Sequence, residues 1–227
     1  MGNAKACSVT EIFNALYSIY GPQEWWPGDS QFEIMVGAIL TQNTAWRNVS
    51  LAIDNLKSEE LLDLVAFLEA EPELVKTLIA PAGYFNVKYR RLRSFLEYLK
   101  NADLERFRSA PIDDLRSELL EVNGIGPETA DSMLLYAFDR PVFVVDAYTR
   151  RLFSRLGYDW IEKAPYKEVQ EFFMRQLPSE SDLYNEFHAL IVAHCKDICK
   201  KKPLCSACAL SSQCAEFHKT ISETSTT

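Results

Sequence analysis

Apolar residues recur along most of the chain at the three-and-four spacing of amphipathic α-helices. The clearest stripe runs from Phe32 to Leu40, and Ser30 with Glu33 supplies the start signature of a capping box. The same periodicity predicts helices over 46–56, 58–69, 72–79, 87–100, 147–157, 164–177 and 181–197. One short run, PVFVV at 141–145, suits either a strand or a buried extended entry to the next helix. The pattern therefore predicts an all-α protein.

The segment LLEVNGIGPETADSMLLYA, residues 119–137, predicts two helices joined by a tight turn. The turn contains Gly124, Ile125 and Gly126, and Pro127 follows at a position suited to the first residue of a helix. Glycines allow backbone amides to approach a phosphate closely. A Gly-x-Gly turn alone is a weak signal, since many helix–helix turns contain glycine. Followed by an amphipathic helix, it predicts a hairpin that binds the DNA backbone independently of base sequence.

Asp146 follows the apolar run and begins the next predicted helix. An aspartate at this position is most simply an N-cap, and from the residue alone we favour that interpretation. The alternative keeps the same geometry and adds chemistry. A partly desolvated carboxylate can stabilise a cationic sugar transition state or orient a water molecule.

The overall charge limits the classes of protein that fit. The chain has 227 residues, a net charge of −8 and a pI near 5.0. This argues against coating nucleic acid by bulk attraction, but it allows a local basic surface. The sequence contains no run of 18 apolar residues, so it predicts no membrane span, and its first residues lack an apolar signal core. We therefore expect a cytoplasmic protein that has no contact with a membrane.

Five of the six cysteines lie within residues 195–214, which favours a metal site over a disulfide framework. The last four, with the spacing C-x5-C-x2-C-x5-C, are Cys199, Cys205, Cys208 and Cys214. Only one close pair is present, so a [4Fe–4S] cluster fits this spacing better than a zinc ribbon. Two alternatives stay open: Cys195 as the first ligand, and a loop of reduced, buried thiols.

Three consecutive lysines, Lys200, Lys201 and Lys202, lie in this cysteine loop. Lysines near a helix C-terminus are often simply solvent-exposed, and their charge interacts favourably with the helix dipole. The alternative is a set of contacts to DNA phosphates, and the sequence does not decide between them.

The hairpin, Asp146 and the cysteine loop follow the order and approximate spacing of the endonuclease III superfamily of DNA base-excision glycosylases. GAILTQNT at 37–44, GIGPETA at 124–130 and VVDAYTRRL at 144–152 all resemble that superfamily. Within it, WWPGDSQFEIMVGAILTQNT at 25–44 and GYFNVKYRRL at 83–92 resemble the 3-methyladenine DNA glycosylase III branch. That branch lacks the cluster cysteines, so this chain resembles a cluster-bearing relative. The first gap is one residue shorter than in the superfamily's C-x6-C-x2-C-x5-C loop.

The resemblance implies two helical domains with double-stranded DNA bound in a cleft between them. One domain would span 30–140 and contain the helix-hairpin-helix. The other would join 1–29 to 141–227 and carry the [4Fe–4S] loop. Asp146 would be the essential carboxylate, and Gln42 would fill the gap left by a flipped nucleotide. The base pocket would be lined by Trp25, Trp26, Pro27 and Trp46. We expect a monomer.

Bifunctional members of the superfamily carry a lysine on the helix after the hairpin, where this chain has Glu128. A carboxylate cannot form a Schiff base, so we expect hydrolysis without strand cleavage. Alkylated purines are cationic and leave readily, and an aromatic face attracts such a base by about 0.5–2 kcal/mol. The predicted function is release of an alkylated purine such as 3-methyladenine. The alternatives are release of uracil, mismatched or oxidised bases, and damage binding without catalysis.

Overall fold

The computed structural model describes residues 7–224 of the chain. This part contains thirteen α-helices and four short 3-10 helices, and none of its residues forms a β-strand. The α-helices are α1 (Val9–Tyr20), α2 (Gln31–Leu40), α3 (Trp46–Ser58), α4 (Leu64–Glu69), α5 (Pro72–Leu78), α6 (Phe85–Leu99), α7 (Arg106–Ser109), α8 (Ile112–Glu121), α9 (Pro127–Phe138), α10 (Ala147–Arg155), α11 (Tyr166–Gln176), α12 (Ser181–Asp197) and α13 (Ala215–Thr224). The predicted all-α class is confirmed.

The helix predicted over 58–69 is wrong in its first half. Helix α3 continues to Ser58, and the chain then turns through Glu60, which has a positive φ of 57°. Helix α4 begins at Leu64 because the Asp63 side chain accepts hydrogen bonds from two of its first backbone amides. Apolar spacing continues across this turn, so periodicity alone did not reveal it.

The chain divides into two compact units, one of residues 26–140 and the other of the described residues up to 25 and from 141 onwards. The division precedes by a few residues the boundary drawn at residue 30 from the sequence, and it separates Trp25 from Trp26. Among the described residues, no helix is long and apolar enough to cross a membrane.

In the unit of residues 26–140, α2 packs against α9, and every residue of α9 from Thr129 to Phe138 is buried. Lys88 on α6 is also buried, although it lies in the charged segment KYRRLR (88–93). Its ammonium donates hydrogen bonds to the Leu40 and Ala82 carbonyls and to the Thr44 hydroxyl. Burial, and secondarily Arg91, lowers the pKa of Lys88 to about 8, which leaves it charged at neutral pH. Lys88 thereby fixes the loop that follows α2.

The other unit has an aromatic core of four buried phenylalanines, Phe143, Phe153, Phe173 and Phe187. The Phe143 and Phe173 rings stack with their centroids 4.4 Å apart. The PVFVV segment forms neither a helix nor a strand and is largely buried, and side chains of α11 satisfy part of its backbone. Gln170 donates to the Phe143 carbonyl at 2.7 Å, and the Tyr166 hydroxyl accepts from the Val145 amide. These contacts hold the start of α10 in place.

Helix α13 extends into the polar C-terminal segment and ends at Thr224. Residues 225–227 lie outside the part of the chain that the structure describes.

Candidate active site

The hairpin turn between α8 and α9 is the first element of the predicted site. Gly124 has a φ of 90°, a conformation that strongly favours glycine, whereas Gly126 has a φ of −99°. Ile125 is buried, and its amide donates to the Val122 carbonyl within the turn. The Gly124 and Gly126 amides donate no hydrogen bond to any described residue. Of the three turn residues predicted to bind DNA, the two glycines therefore offer their amides and Ile125 anchors the turn.

Gln42 is held against this turn. Its Nε2 donates to the Gly124 carbonyl and to the Thr129 hydroxyl, both at 3.0 Å. Its Oε1 accepts a hydrogen bond from the Arg91 guanidinium. The structure therefore brings Gln42 and the hairpin together, as two parts of one hydrogen-bond network.

Three of the four predicted base-pocket residues, Trp26, Pro27 and Trp46, line one cavity of about 290 Å³. The Trp26 and Trp46 rings meet edge to face with their centroids 5.1 Å apart. Gly37 makes room for Trp26, because a Cβ there would lie 3.1 Å from the indole ring. Trp25 is half-buried and is not among the residues that line this cavity.

A charged cluster that the sequence did not suggest lines the same cavity. The Lys57 ammonium lies 2.6 Å from an Asp29 carboxylate oxygen and 2.8 Å from one of Glu33. Hydrogen bonds to Asp29 and Glu33 raise the pKa of Lys57. Two carboxylates and one ammonium leave the cluster with a net charge of −1, next to the two tryptophans.

Asp146 is the N-cap of α10, as its position in the sequence predicts. Its Oδ1 accepts from the Thr149 amide at 2.7 Å and from the Thr149 hydroxyl at 2.9 Å. Its Oδ2 lies 3.6 Å from Nε2 of His188, a buried residue of α12. Burial raises the pKa of Asp146, but His188 and Thr149 together outweigh it, so the pKa lies below its ordinary value. Asp146 is thus a carboxylate that stays ionised although only 12% of its side chain is exposed.

The four thiols predicted as cluster ligands line one mostly apolar cavity, to which Leu152, Leu156 and Leu210 contribute. These four are Cys199, Cys205, Cys208 and Cys214. Within residues 7–224, no three His, Cys, Asp or Glu side chains are arranged to hold a single metal ion. In a [4Fe–4S] cluster each thiolate binds its own iron, so the ligands need not converge on one point. The donor set therefore fits the chemistry of the cluster.

Cys195 faces a different environment from Cys199. It does not line the cavity, and its thiol lies 3.5 Å from the Tyr148 carbonyl. The neighbouring Cys195 thiol, and then the Arg155 guanidinium, lower the pKa of Cys199. The proximity of Cys199 and burial raise the pKa of Cys195. Cys199, and not Cys195, therefore faces the cavity that the other three thiols line.

The three lysines of the cysteine loop are exposed, as both interpretations of the sequence require. The Arg155 guanidinium of α10 binds the backbone of this loop by donating to the carbonyls of Lys200 at 2.7 Å and Lys201 at 3.1 Å. The backbone is therefore fixed and the ammonium groups remain available to a ligand.

Sequence reasoning missed several residues of the site. No local motif links His188 to Asp146, which lies 42 positions away in the chain. Arg91 lies in the charged segment KYRRLR (88–93), and nothing in that segment points to Gln42.

A helical protein with this hairpin, an aspartate that caps a later helix and a cysteine loop is typical of the helix-hairpin-helix class of DNA repair proteins. Residues 36–179 match the HhH-GPD superfamily base excision DNA repair protein family, so the chain belongs to that family. It is a DNA repair glycosylase of the HhH-GPD family.

Three individual proteins illustrate the similarity. A Methanocaldococcus jannaschii protein, whose name gives DNA repair glycosylase as its inferred activity, is 48% identical over 91% of this chain and 95% of its own length. The structure of H. pylori 3-methyladenine DNA glycosylase bound to 1,N6-ethenoadenine is 31% identical, with a TM-score of 0.73 over 84% of this chain and 98% of that one. A non-covalent endonuclease III–DNA complex has a TM-score of 0.80 at 20% identity, over 98% and 100% of the two chains, and this shows the fold.

Proposed function

We propose that the protein hydrolyses the N-glycosidic bond of an alkylated purine in double-stranded DNA and leaves an abasic site. The observation that carries this proposal is the cavity in which Trp26 and Trp46 adjoin a cluster of net charge −1. N3- or N7-alkylation places a positive charge on a purine, and both features attract such a cation. The similarity to a 3-methyladenine glycosylase supports the same substrate class.

Asp146 supplies the chemistry in this proposal. As the glycosidic bond breaks, its electron pair leaves with the base and positive charge develops on the sugar. An ionised carboxylate stabilises that charge, orients the water that attacks the sugar carbon and accepts the proton that this water loses, which then passes to solvent. The lowered pKa of Asp146 keeps it in the required form at neutral pH. No acid is needed for the base, because the alkylated purine already carries a positive charge.

We further propose that the enzyme has no lyase activity. Glu128 lies in the first turn of α9, where bifunctional members of the superfamily were expected to carry a lysine. Between Lys100 and Lys163 the sequence contains no lysine at all. Incubation of the protein with abasic DNA and borohydride should therefore trap no covalent adduct. A trapped adduct that maps to a lysine would contradict this part of the proposal.

For DNA binding, we propose that the free amides of Gly124 and Gly126 contact backbone phosphates and that Lys200, Lys201 and Lys202 add charge. We also propose that Cys199, Cys205, Cys208 and Cys214 hold a [4Fe–4S] cluster. When bound, the cluster would serve to fix the shape of the lysine-bearing loop. The chain's own Arg155 already holds the backbone of that loop.

The decisive experiment is chromatography of the bases released from methylated, deaminated and oxidised duplex DNA. We expect 3-methyladenine or another N-alkylpurine from the first substrate and an intact sugar–phosphate backbone. Release of uracil or an oxidised base, with no alkylpurine, would overturn the proposed substrate class. Binding to damaged duplex with no base released would favour a damage-binding protein.

A further inference from the structure

Gln42 is bound to its own protein through both ends of its carboxamide. Its two Nε2 donors are used by the Gly124 carbonyl and the Thr129 hydroxyl, and its Oε1 accepts from Arg91. A side chain that is to enter a gap in DNA must first leave these partners. The inference that follows rests on the proposed function, in which Gln42 fills the space of the flipped nucleotide.

Arg91 connects this side chain to the predicted DNA-binding turn. A Cβ on Gly124 would lie 2.2 Å from Cγ of Arg91, so the arginine stem lies directly on the glycine. Arg91 also lines an open groove of about 700 Å³ together with Arg90, Asn123 and Gly124. This groove presents positive charge beside the Gly124 amide, a composition that suits a backbone phosphate.

We infer that Gln42 and a DNA phosphate compete for the Arg91 guanidinium, so that the protein holds the backbone more tightly where Gln42 has a gap to enter. On undamaged DNA, Gln42 stays docked and occupies part of the guanidinium. Beside a gap, Gln42 leaves the turn and Arg91 can make charge-assisted hydrogen bonds to phosphate, which are about twice as strong as neutral ones. Arg91 is thus a positioning residue that links lesion detection to backbone affinity.

The test compares Arg91→Met with the matched control Arg90→Met, since methionine preserves the stem that packs on Gly124. Affinity is measured at one ionic strength for an intact duplex and for the same duplex with a stable abasic-site analogue. Arg91→Met should weaken binding to the duplex that contains the abasic-site analogue about fivefold more than binding to the intact duplex. Arg90→Met should weaken both equally, because Arg90 is exposed and the Gln42 oxygen accepts its hydrogen bond from Arg91 instead.

Gln42→Ala supplies the second half of the test. It removes the competitor, so it should raise affinity for the intact duplex, and in its background Arg91→Met should weaken binding to both duplexes equally. A loss from Arg91→Met that is the same for both duplexes in the wild-type background would overturn the inference. So would a Gln42→Ala variant that binds intact DNA more weakly, a result that holds even if Arg91→Met does not fold.

These binding measurements are independent of catalysis. Coupling between positions 42 and 91 without release of alkylpurine would refute the proposed substrate and retain the competition. Release of alkylpurine without this coupling would refute the competition alone.

Discussion

At the scale of single residues, Asp146 combines a structural and a chemical task in one carboxylate. The Asp146→Asn variant separates the two, because asparagine is as good an N-cap as aspartate but carries no charge. We expect base release to fall at least about 100-fold, since an amide cannot stabilise a cationic sugar as a carboxylate does. The thermal midpoint of unfolding should fall only modestly, because asparagine keeps the cap hydrogen bonds to Thr149 and loses the charge that faces His188. Full base release by this variant would refute the catalytic assignment.

His188 is the second residue whose contribution can be isolated. The ionised Asp146 faces His188 and Thr149, and Cys195 and Lys196 of α12 also interact with it electrostatically. Because its pKa is lowered in the folded protein, Asp146 contributes stability that is present above its ordinary pKa of 3.8 and is lost as the pH falls through the folded value.

The His188→Ala variant should raise the pKa of Asp146 by removing its main stabilising partner. We expect the acidic limb of the pH–rate profile to move to higher pH, and acid unfolding to begin at higher pH than in the wild type. The exposed His218 provides a control, and His218→Ala should leave both curves in place. An unchanged acidic limb in His188→Ala would show that His188 does not set the pKa of Asp146.

At the scale of elements, the two glycines of the hairpin differ in what they require. At Gly124 a side chain would meet Arg91 and would have to accept a φ of 90°, whereas at Gly126 a Cβ has no neighbour within 4 Å. We expect Gly124→Ala to lower the free energy of unfolding by about 1–3 kcal/mol. Gly126→Ala should change it by less than about 0.5 kcal/mol.

Chemical denaturation of the two variants checks this difference, and DNA affinity gives a second readout. If the open space at Gly126 serves phosphate approach, Gly126→Ala should weaken duplex binding although the fold is intact. Equal stability of the two variants would contradict the special conformation of Gly124.

At the scale of the whole molecule, the sequence revealed what is local in the chain. Periodicity and turn glycines located the hairpin, and cysteine spacing located the loop whose four thiols line one cavity. Contacts between distant segments were out of reach. The burial of Lys88 is not visible in the charged segment around it, because its three acceptors lie 6 to 48 residues away in the chain. The carboxylates beside Lys57 were missed for the same reason, since Asp29 lies 28 positions away.

The cysteines give the last prediction, which concerns the integrity of the molecule as a whole. Cys199→Ser and Cys195→Ser each replace one thiol by a hydroxyl, and only the Cys199 thiol lines the cavity. The wild type purified without oxygen should be brown and contain about four iron atoms per chain. Cys199→Ser should lose the colour and most of the iron, whereas Cys195→Ser should keep both. The reverse pattern would make Cys195 the ligand, and a colourless wild type that contains zinc would refute the cluster.

Arg155 secures the backbone of this loop without any metal. We therefore expect loss of the cluster to weaken DNA binding clearly and to lower the thermal midpoint only slightly.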